Sequence, residues 1–347
     1  MAIAVVLTAL VSLVACRALV PTAPLDVPDL ARKAHGAATP TSGGVGIAFG
    51  FAVGLMALSL GFTQWRNAIS AQGASLLALA AAFSYAFLLL GVWDDARPIA
   101  PRLKFALFAL LALAGAWAIG PATQFPLADD LVVEVAWWIA LIGSGLWVFT
   151  LVNSVNFMDG SNGLAMGSMA IGLIALAAIA FAGRSPAGAA ISLCAAGAFL
   201  GFLYWNFPSG RMFAGDSGAL FAGAVGALAS LLIIQRAHLT PFAPPIVFFP
   251  LLADVLLTLA WRVSRGHRLL EGHLEHHYQI LRRAGMSHTR VALIYWAAMA
   301  VCGAIAVVVA QHPHSMLPWM ALAALALMSL GVTVMVRKFA IERGLAQ

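Results

Sequence analysis

Four polar islands interrupt an otherwise apolar chain, and each carries residue types that do chemistry. The densest runs Asn153-Ser-Val-Asn156-Phe-Met-Asp159-Gly-Ser-Asn162-Gly163, between two stretches of membrane-grade sequence. Polar groups so placed are costly unless they line a water-filled cavity, so they mark a functional site. Asn156, Asp159 and Asn162 recur at intervals of three and share a face if the segment is helical. Amides and a carboxylate there can hydrogen-bond a base, a sugar or metal-bound water. A second island is Asp94-Asp95, followed by Arg97, Arg102 and Lys104. Two adjacent carboxylates beside a membrane ionise together only with a cation at hand, either a metal or one of these basic residues. The third, Phe213-Ala-Gly215-Asp216-Ser-Gly218, opens an apolar run, where Asp216 is placed to cap a helix or to ligate a cation. Oxygen donors without a thiol suit Mg²⁺ or Mn²⁺. The fourth is His273-Leu-Glu275-His276-His277-Tyr-Gln279, in a loop that also holds Arg262, Arg265, Arg268, Arg282 and Arg283. It lacks the His-Glu-x-x-His spacing of zinc proteases, and its Arg and His donors match phosphate. Each island also has a plainer explanation. These are solvated helix ends for Asp94-Asp95, a hydrogen-bonded interhelical loop for the first, an N-cap for Asp216 and topogenic charge for the last.

The elements that must position these islands follow from composition. Of 347 residues, 62% are hydrophobic and 9% charged, against roughly 25% charged in soluble domains. This is an all-α, polytopic integral membrane protein. Apolar runs near 1–20, 44–63, 74–93, 103–121, 134–152, 163–183, 187–205, 215–234, 242–261, 290–310 and 316–336 predict about eleven transmembrane helices of roughly 20 residues each. The first run lacks a preceding positive charge and is expected to stay as an uncleaved helix. With the N-terminus outside and the C-terminus cytoplasmic, only Arg66, Arg184 and Arg236 of the 19 Lys and Arg residues fall outside, as the positive-inside rule requires. All four islands then face the cytoplasm, where distant polar groups can converge on one cleft. The outer loops are poor in chemistry; Asp129-Asp130 reads as a solvated acidic pair. Cys16, Cys194 and Cys302 match no ligand spacing and read as core residues. The net charge of +6 is topogenic, and no nucleic-acid partner is expected. The sequence allows a homodimer without specifying one.

Order, spacing and side of the membrane together resemble the polyprenyl-phosphate N-acetylhexosamine-1-phosphate transferase family, from about Asp26 to Gln279. The match starts at Asp26-x-Pro28…Arg32-Lys33-x-His35…Pro40-x-x-Gly43-Gly44 and continues through Asp94-Asp95. Its most specific part is Asn153-x-x-Asn156-Phe157-x-Asp159-Gly160-x-Asn162-Gly163, followed by Phe213-x-Gly215-Asp216-x-Gly218. The resemblance implies one transferase domain over 1–347 in a bacterial cytoplasmic membrane, with active-site loops at 21–43, 94–102, 153–162, 206–216 and 262–289. It implies transfer of a HexNAc-1-phosphate from a UDP-sugar to undecaprenyl phosphate with Mg²⁺, as the start of a surface polysaccharide. It further implies Asp216 as metal ligand with Asp95 near the metal, and Asp94 as base or positioner of the lipid phosphate. Asn156, Asp159, Asn162 and Phe213 would contact the uridine or the metal shell, with Lys33 close by. Arg268, His273, His276 and His277 would hold the diphosphate or sugar. The pattern His273-x-x-His276-His277-Tyr278-Gln279 departs from the three consecutive histidines of the muramoyl-pentapeptide branch, which stands as the alternative, with a membrane transporter as the alternative from another class. GlcNAc, GalNAc, FucNAc and QuiNAc all stay open as the sugar. Asp254 is an intramembrane carboxylate with no evident partner in the sequence.

Overall fold

The most enclosed helix of the protein is one that opens on an aspartate. In the computed structural model, which describes residues 1–21, 25–26, 39–61, 63–128, 131–237, 239–268 and 272–345, the helix Gly215–Ala237 is buried along almost all of its apolar length. Its sequence explains the position: Gly218, Ala219, Ala222, Gly223, Ala224, Gly226 and Ala227 are small enough to let neighbouring backbones approach, which is how helices associate in lipid. In chain order the helices are α1 (Ala2–Leu19), α2 (Gly43–Gly61), α3 (Thr63–Ala68), α4 (Ala71–Ala96), α5 (Pro101–Ile119), α6 (Trp137–Met158), α7 (Leu164–Ala182), α8 (Pro186–Asn206) and the central α9 (Gly215–Ala237). There follow α10 (Ala243–Val247), α11 (Phe249–Ser264), α12 (His277–Arg283), α13 (His288–Ala310) and α14 (Leu317–Glu342). α9 packs against α2, α4, α6, α7 and α8. The last helix lies at the rim, mostly unburied, with Leu327, Met328 and Met335 exposed.

Among the described residues ten helices are long and apolar enough to cross a membrane, so the protein is a multi-pass membrane protein. The remaining run expected to cross, 242–261, is divided into α10 and α11 at Phe248, between Pro244-Pro245 and Pro250. Proline lacks the N–H that would continue the ladder, and its ring clashes with the preceding turn. Two boundaries also differ from the hydropathy reading. Asp94 and Asp95 lie inside the last turn of α4 rather than after it. A short antiparallel hairpin, β3 (Gln124–Ala128) with β4 (Leu131–Glu134), precedes α6, and a two-residue pair β1 (Leu25–Asp26) with β2 (Thr39–Pro40) precedes α2. Asp129-Asp130 and Lys33 lie outside the described residues.

Candidate active site

The end of α4, the start of α5 and the start of α9 meet through charge. Lys104, in the first turn of α5, forms ion pairs with the carboxylates of both Asp94 and Asp216. Asp94 also accepts from the Ile99 N–H at 2.7 Å, so each of its oxygens has a donor. Asp95 reaches the backbone instead: its Oδ1 accepts from the Asp216 N–H at 2.9 Å and its Oδ2 from the Ser217 N–H at 3.0 Å. These are orphan donors of a helix start, and α4 caps α9 with a side chain from another helix. Gly215 makes this fit. Its φ is +72°, and a Cβ there would fall 2.7 Å from Asp95 Oδ2. The Gly43-Gly44 pair serves packing: the Gly43 and Gly44 N–H groups donate to the Phe213 and Ala214 carbonyls at 3.1 and 2.9 Å. A Cβ on Gly44 would lie 2.2 Å from the Gly218 nitrogen.

The segment expected to share one helical face does so only in part. α6 ends at Met158, with Asn156 in its last turn and Asp159 as C-cap. Residues 159–163 turn back toward α7. This turn is held from several sides: Asn162 donates to the Pro208 carbonyl at 3.1 Å and the Gly163 N–H to Asn206 Oδ1 at 2.6 Å. Ser161 Oγ lies 2.9 Å from His288 Nδ1. Asn153 faces away from the site; it is buried and bonds the Phe149 carbonyl at 2.7 Å.

A cavity of about 820 Å³ opens at this end of the bundle. Of the residues singled out in the sequence, Asp95, Asn156, Asp159, Asn162, Phe213 and Asp216 line it. Tyr278, Arg282 and His288 line it as well. Tyr278 lay within the quoted histidine pattern and Arg282 within the basic loop, whereas His288 has no local signal. Lys104 was visible only as one of three basic residues after Asp94-Asp95. Burial, with the negative charges of Asp216 and Asp95 nearby, raises the Asp159 carboxyl well above the usual range. Burial and like charge both disfavour the ionised form of a carboxyl group.

The histidines do not join this cavity. His273 and Arg268 line a second one of about 570 Å³, together with Arg262 and Glu275. Burial, then the neighbouring His276 and Arg262, lowers His273 to about 4. Glu275 is ion-paired with the buried Arg262, which outweighs burial and lowers its carboxyl. His276 and His277 are themselves buried, with their Nδ1 atoms 3.4 and 3.8 Å from Asp254 Oδ1. The intramembrane carboxylate that lacked a partner in the sequence therefore has several. The His276 ring stacks on Phe157 at 5.7 Å between centroids.

Asp159 and Asp216, with Asn156, offer one cavity the oxygen donors that a hard divalent cation takes, whereas Asp95, expected beside the metal, has both oxygens engaged by the start of α9. Among the described residues no three His, Cys, Asp or Glu side chains close on a single point.

A polytopic helical bundle with an acidic, amide-lined cavity at the ends of its helices defines an integral-membrane enzyme that handles charged groups at the membrane surface. Residues 75–234 match glycosyl transferase family 4. The chain is 26% identical over 271 residues to a probable undecaprenyl-phosphate N-acetylglucosaminyl 1-phosphate transferase of Bacillus subtilis (strain 168), covering 76% of this chain and 72% of that one. It is 27% identical over 278 residues to a phospho-N-acetylmuramoyl-pentapeptide-transferase of Desulforudis audaxviator (strain MP104C), covering 74% and 80%. It is 28% identical over 305 residues to a decaprenyl-phosphate N-acetylglucosaminephosphotransferase of Mycobacterium leprae (strain TN), covering 79% and 74%. The matched region and these relatives support the polyprenyl-phosphate N-acetylhexosamine-1-phosphate transferase family, and the protein is a phospho-sugar transferase.

Proposed function

We propose that the protein transfers N-acetylhexosamine-1-phosphate from a UDP-sugar to undecaprenyl phosphate in a bacterial cytoplasmic membrane, releasing UMP and starting a surface polysaccharide. The observation that carries this is the gathering of Asp95, Asn156, Asp159 and Asp216 around one cavity at the helix ends, where a lipid headgroup and a nucleotide sugar can meet. A lipid-phosphate oxygen attacks the β-phosphorus of the donor. The new P–O bond forms as the bond to UMP breaks, and the electron pair leaves with UMP. A phosphate monoester has its second pKa near 6, so the nucleophile is already ionised at neutral pH and positioning matters more than proton removal.

Bound Mg²⁺ would supply positive charge that offsets the repulsion between the approaching phosphates. Asp216 is the residue best placed to hold it, since its carboxylate stands in the cavity; Asp159 and Asn156 face the same space. Asp95 supports Asp216 by holding the backbone beneath it. Asp94 acts through Lys104, whose ammonium sets the charge beside Asp216. Phe213 offers a ring to the uracil. Arg282 and His288 offer donors to phosphate in the same cavity. His273 and Arg268 reach the donor only from the second cavity, which meets the first at Leu274.

A muramoyl-pentapeptide donor is the second reading, favoured by relatives of that name. The test is UMP release by purified protein in detergent with undecaprenyl phosphate, Mg²⁺ and a panel of UDP-N-acetylhexosamines, UDP-MurNAc-pentapeptide included. Lipid-dependent UMP with one donor, lost with EDTA and in Asp216→Asn, is the expected result. UMP from the pentapeptide donor alone would replace the first reading by the second, and UMP release that survives Asp216→Asn would remove Asp216 from the metal.

A further inference from the structure

We infer that Asp254, outside the cavity and deep in the bundle, is the positioning residue of the phosphotransfer site. It acts through Tyr278 on the cavity wall that carries Asn156 and Asp159. Asp254 is 2% exposed and gathers donors from α11, from α13 and from the histidine segment that begins α12. Its Oδ1 accepts from the His277 N–H at 2.8 Å and from the Thr258 hydroxyl at 3.3 Å. Its Oδ2 accepts from the Tyr295 hydroxyl at 2.5 Å and from the Tyr278 N–H at 3.3 Å. Thr258 in turn accepts from Arg337 of α14 at 3.0 Å, an arginine that is itself 2% exposed. A carboxylate buried at this depth is retained only if its lone pairs are matched, and here two of its donors are consecutive backbone N–H groups of one segment. Asp254 thus fixes where α12 begins.

The next link reaches the site. With its backbone held by Asp254, Tyr278 donates its hydroxyl to the Phe157 carbonyl at 2.9 Å. It lies so close to the turn after α6 that a Cβ on Gly160 would fall 2.2 Å from its oxygen. Phe157 and Gly160 flank Asp159, and Phe157 also carries the His276 ring. A shift of the Tyr278 backbone therefore moves the wall holding Asn156 and Asp159, and sub-ångström placement of such groups governs rate. The two buried histidines are braces in this arrangement: Asp254 faces the Nδ1 atoms of both, and neither lines the cavity.

The rate effect rests on the phosphotransfer proposed above; the mechanical link does not. Full-length protein in detergent is compared as wild type, Asp254→Asn, Tyr278→Phe and the double variant, by amide hydrogen exchange and by UMP release. Exchange in 156–163 is expected to rise in both single variants, while α8 and the core of α9 stay protected. The KM for the nucleotide sugar is expected to rise on the order of tenfold or more in Asp254→Asn, with the KM for the lipid changed by less than about twofold. The double variant should be no worse than Asp254→Asn alone, because both changes cut one route. Unchanged exchange at 156–163 in Asp254→Asn, or additive losses in the double variant, would overturn the inference. If Asp254→Asn does not reach the membrane folded, Tyr295→Phe removes one hydroxyl donor and no charge, and carries the same comparison. Wild-type protein that releases no UMP from any donor refutes the functional reading, while the exchange data still decide the link.

Discussion

Asp95 and Asp216, 121 positions apart, are joined through the backbone: the Asp95 carboxylate accepts the Asp216 N–H at 2.9 Å. One aspartate is spent on holding the other's helix, which leaves the Asp216 carboxylate to face the cavity and Lys104. The acidic residues are therefore unequal, and their substitutions should separate. Asp95→Ala strips two acceptors from the start of α9 and should cost about 1–2 kcal/mol. Asp95→Asn keeps one acceptor and should cost less. Thermal unfolding in detergent measures both, and equal melting of Ala and Asn variants would contradict the capping role.

Lys104 sits where a cation is needed, so its charge and a metal's compete. Lys104→Met leaves Asp94 and Asp216 without their shared partner. Activity should drop at least about tenfold through lost charge placement, while the Mg²⁺ concentration for half-maximal activity falls, because the site becomes more negative. A Mg²⁺ titration of UMP release checks this; a rise in the Mg²⁺ requirement would mean that Lys104 helps to build the metal site.

Gly160 leaves room for the Tyr278 hydroxyl, and Gly160→Ala would place a Cβ 2.2 Å from it. Either the tyrosine or the turn must move. Activity should fall by about tenfold or more, and combining Gly160→Ala with Tyr278→Phe should restore part of it. No recovery in the pair would locate the damage elsewhere.

Two groups outside the spans give stability opposite dependences on pH. Asp159 has its carboxyl raised above the ordinary 3.8 by burial and by Asp216 and Asp95. Above 3.8 the folded protein retains a proton that the unfolded chain has lost, so stability falls as pH rises through the raised range. His273 is lowered from 6.5 to about 4. The unfolded chain binds the extra proton there, so stability is lost as pH falls through that window. In EDTA, Asp159→Asn should flatten the fall in stability as pH rises above 3.8, and His273→Asn the loss as pH drops from 6.5 to about 4. Melting temperature against pH reads both, and a slope unaltered by its own substitution would refute that assignment.

Hydropathy and residue type determined much of this protein without coordinates. Apolar runs of spanning length dictated a multi-pass helical bundle, because lipid leaves a backbone few other ways to satisfy its hydrogen bonds. Polar islands in such a chain had to line a cavity, and Asp95, Asn156, Asp159, Asn162, Phe213 and Asp216 do share one. What one dimension could not supply was the choice of partner. Whether Asp94 meets a metal or Lys104, and whether Asp95 faces substrate or a helix end, turns on atoms brought within 3 Å across more than a hundred positions. Asp254 had no partner within its own helix beyond Thr258, and it acquired His276, His277, Tyr278 and Tyr295 only when α12 and α13 packed on α11. The break at Phe248 was written in three prolines, yet a hydropathy average passes over them because proline's effect is on the hydrogen-bond ladder rather than on transfer to lipid. Local chemistry chose the elements and their residues. Tertiary packing decided which polar groups face the cavity and which hold it in shape, since a buried polar group must be paired wherever its partner lies.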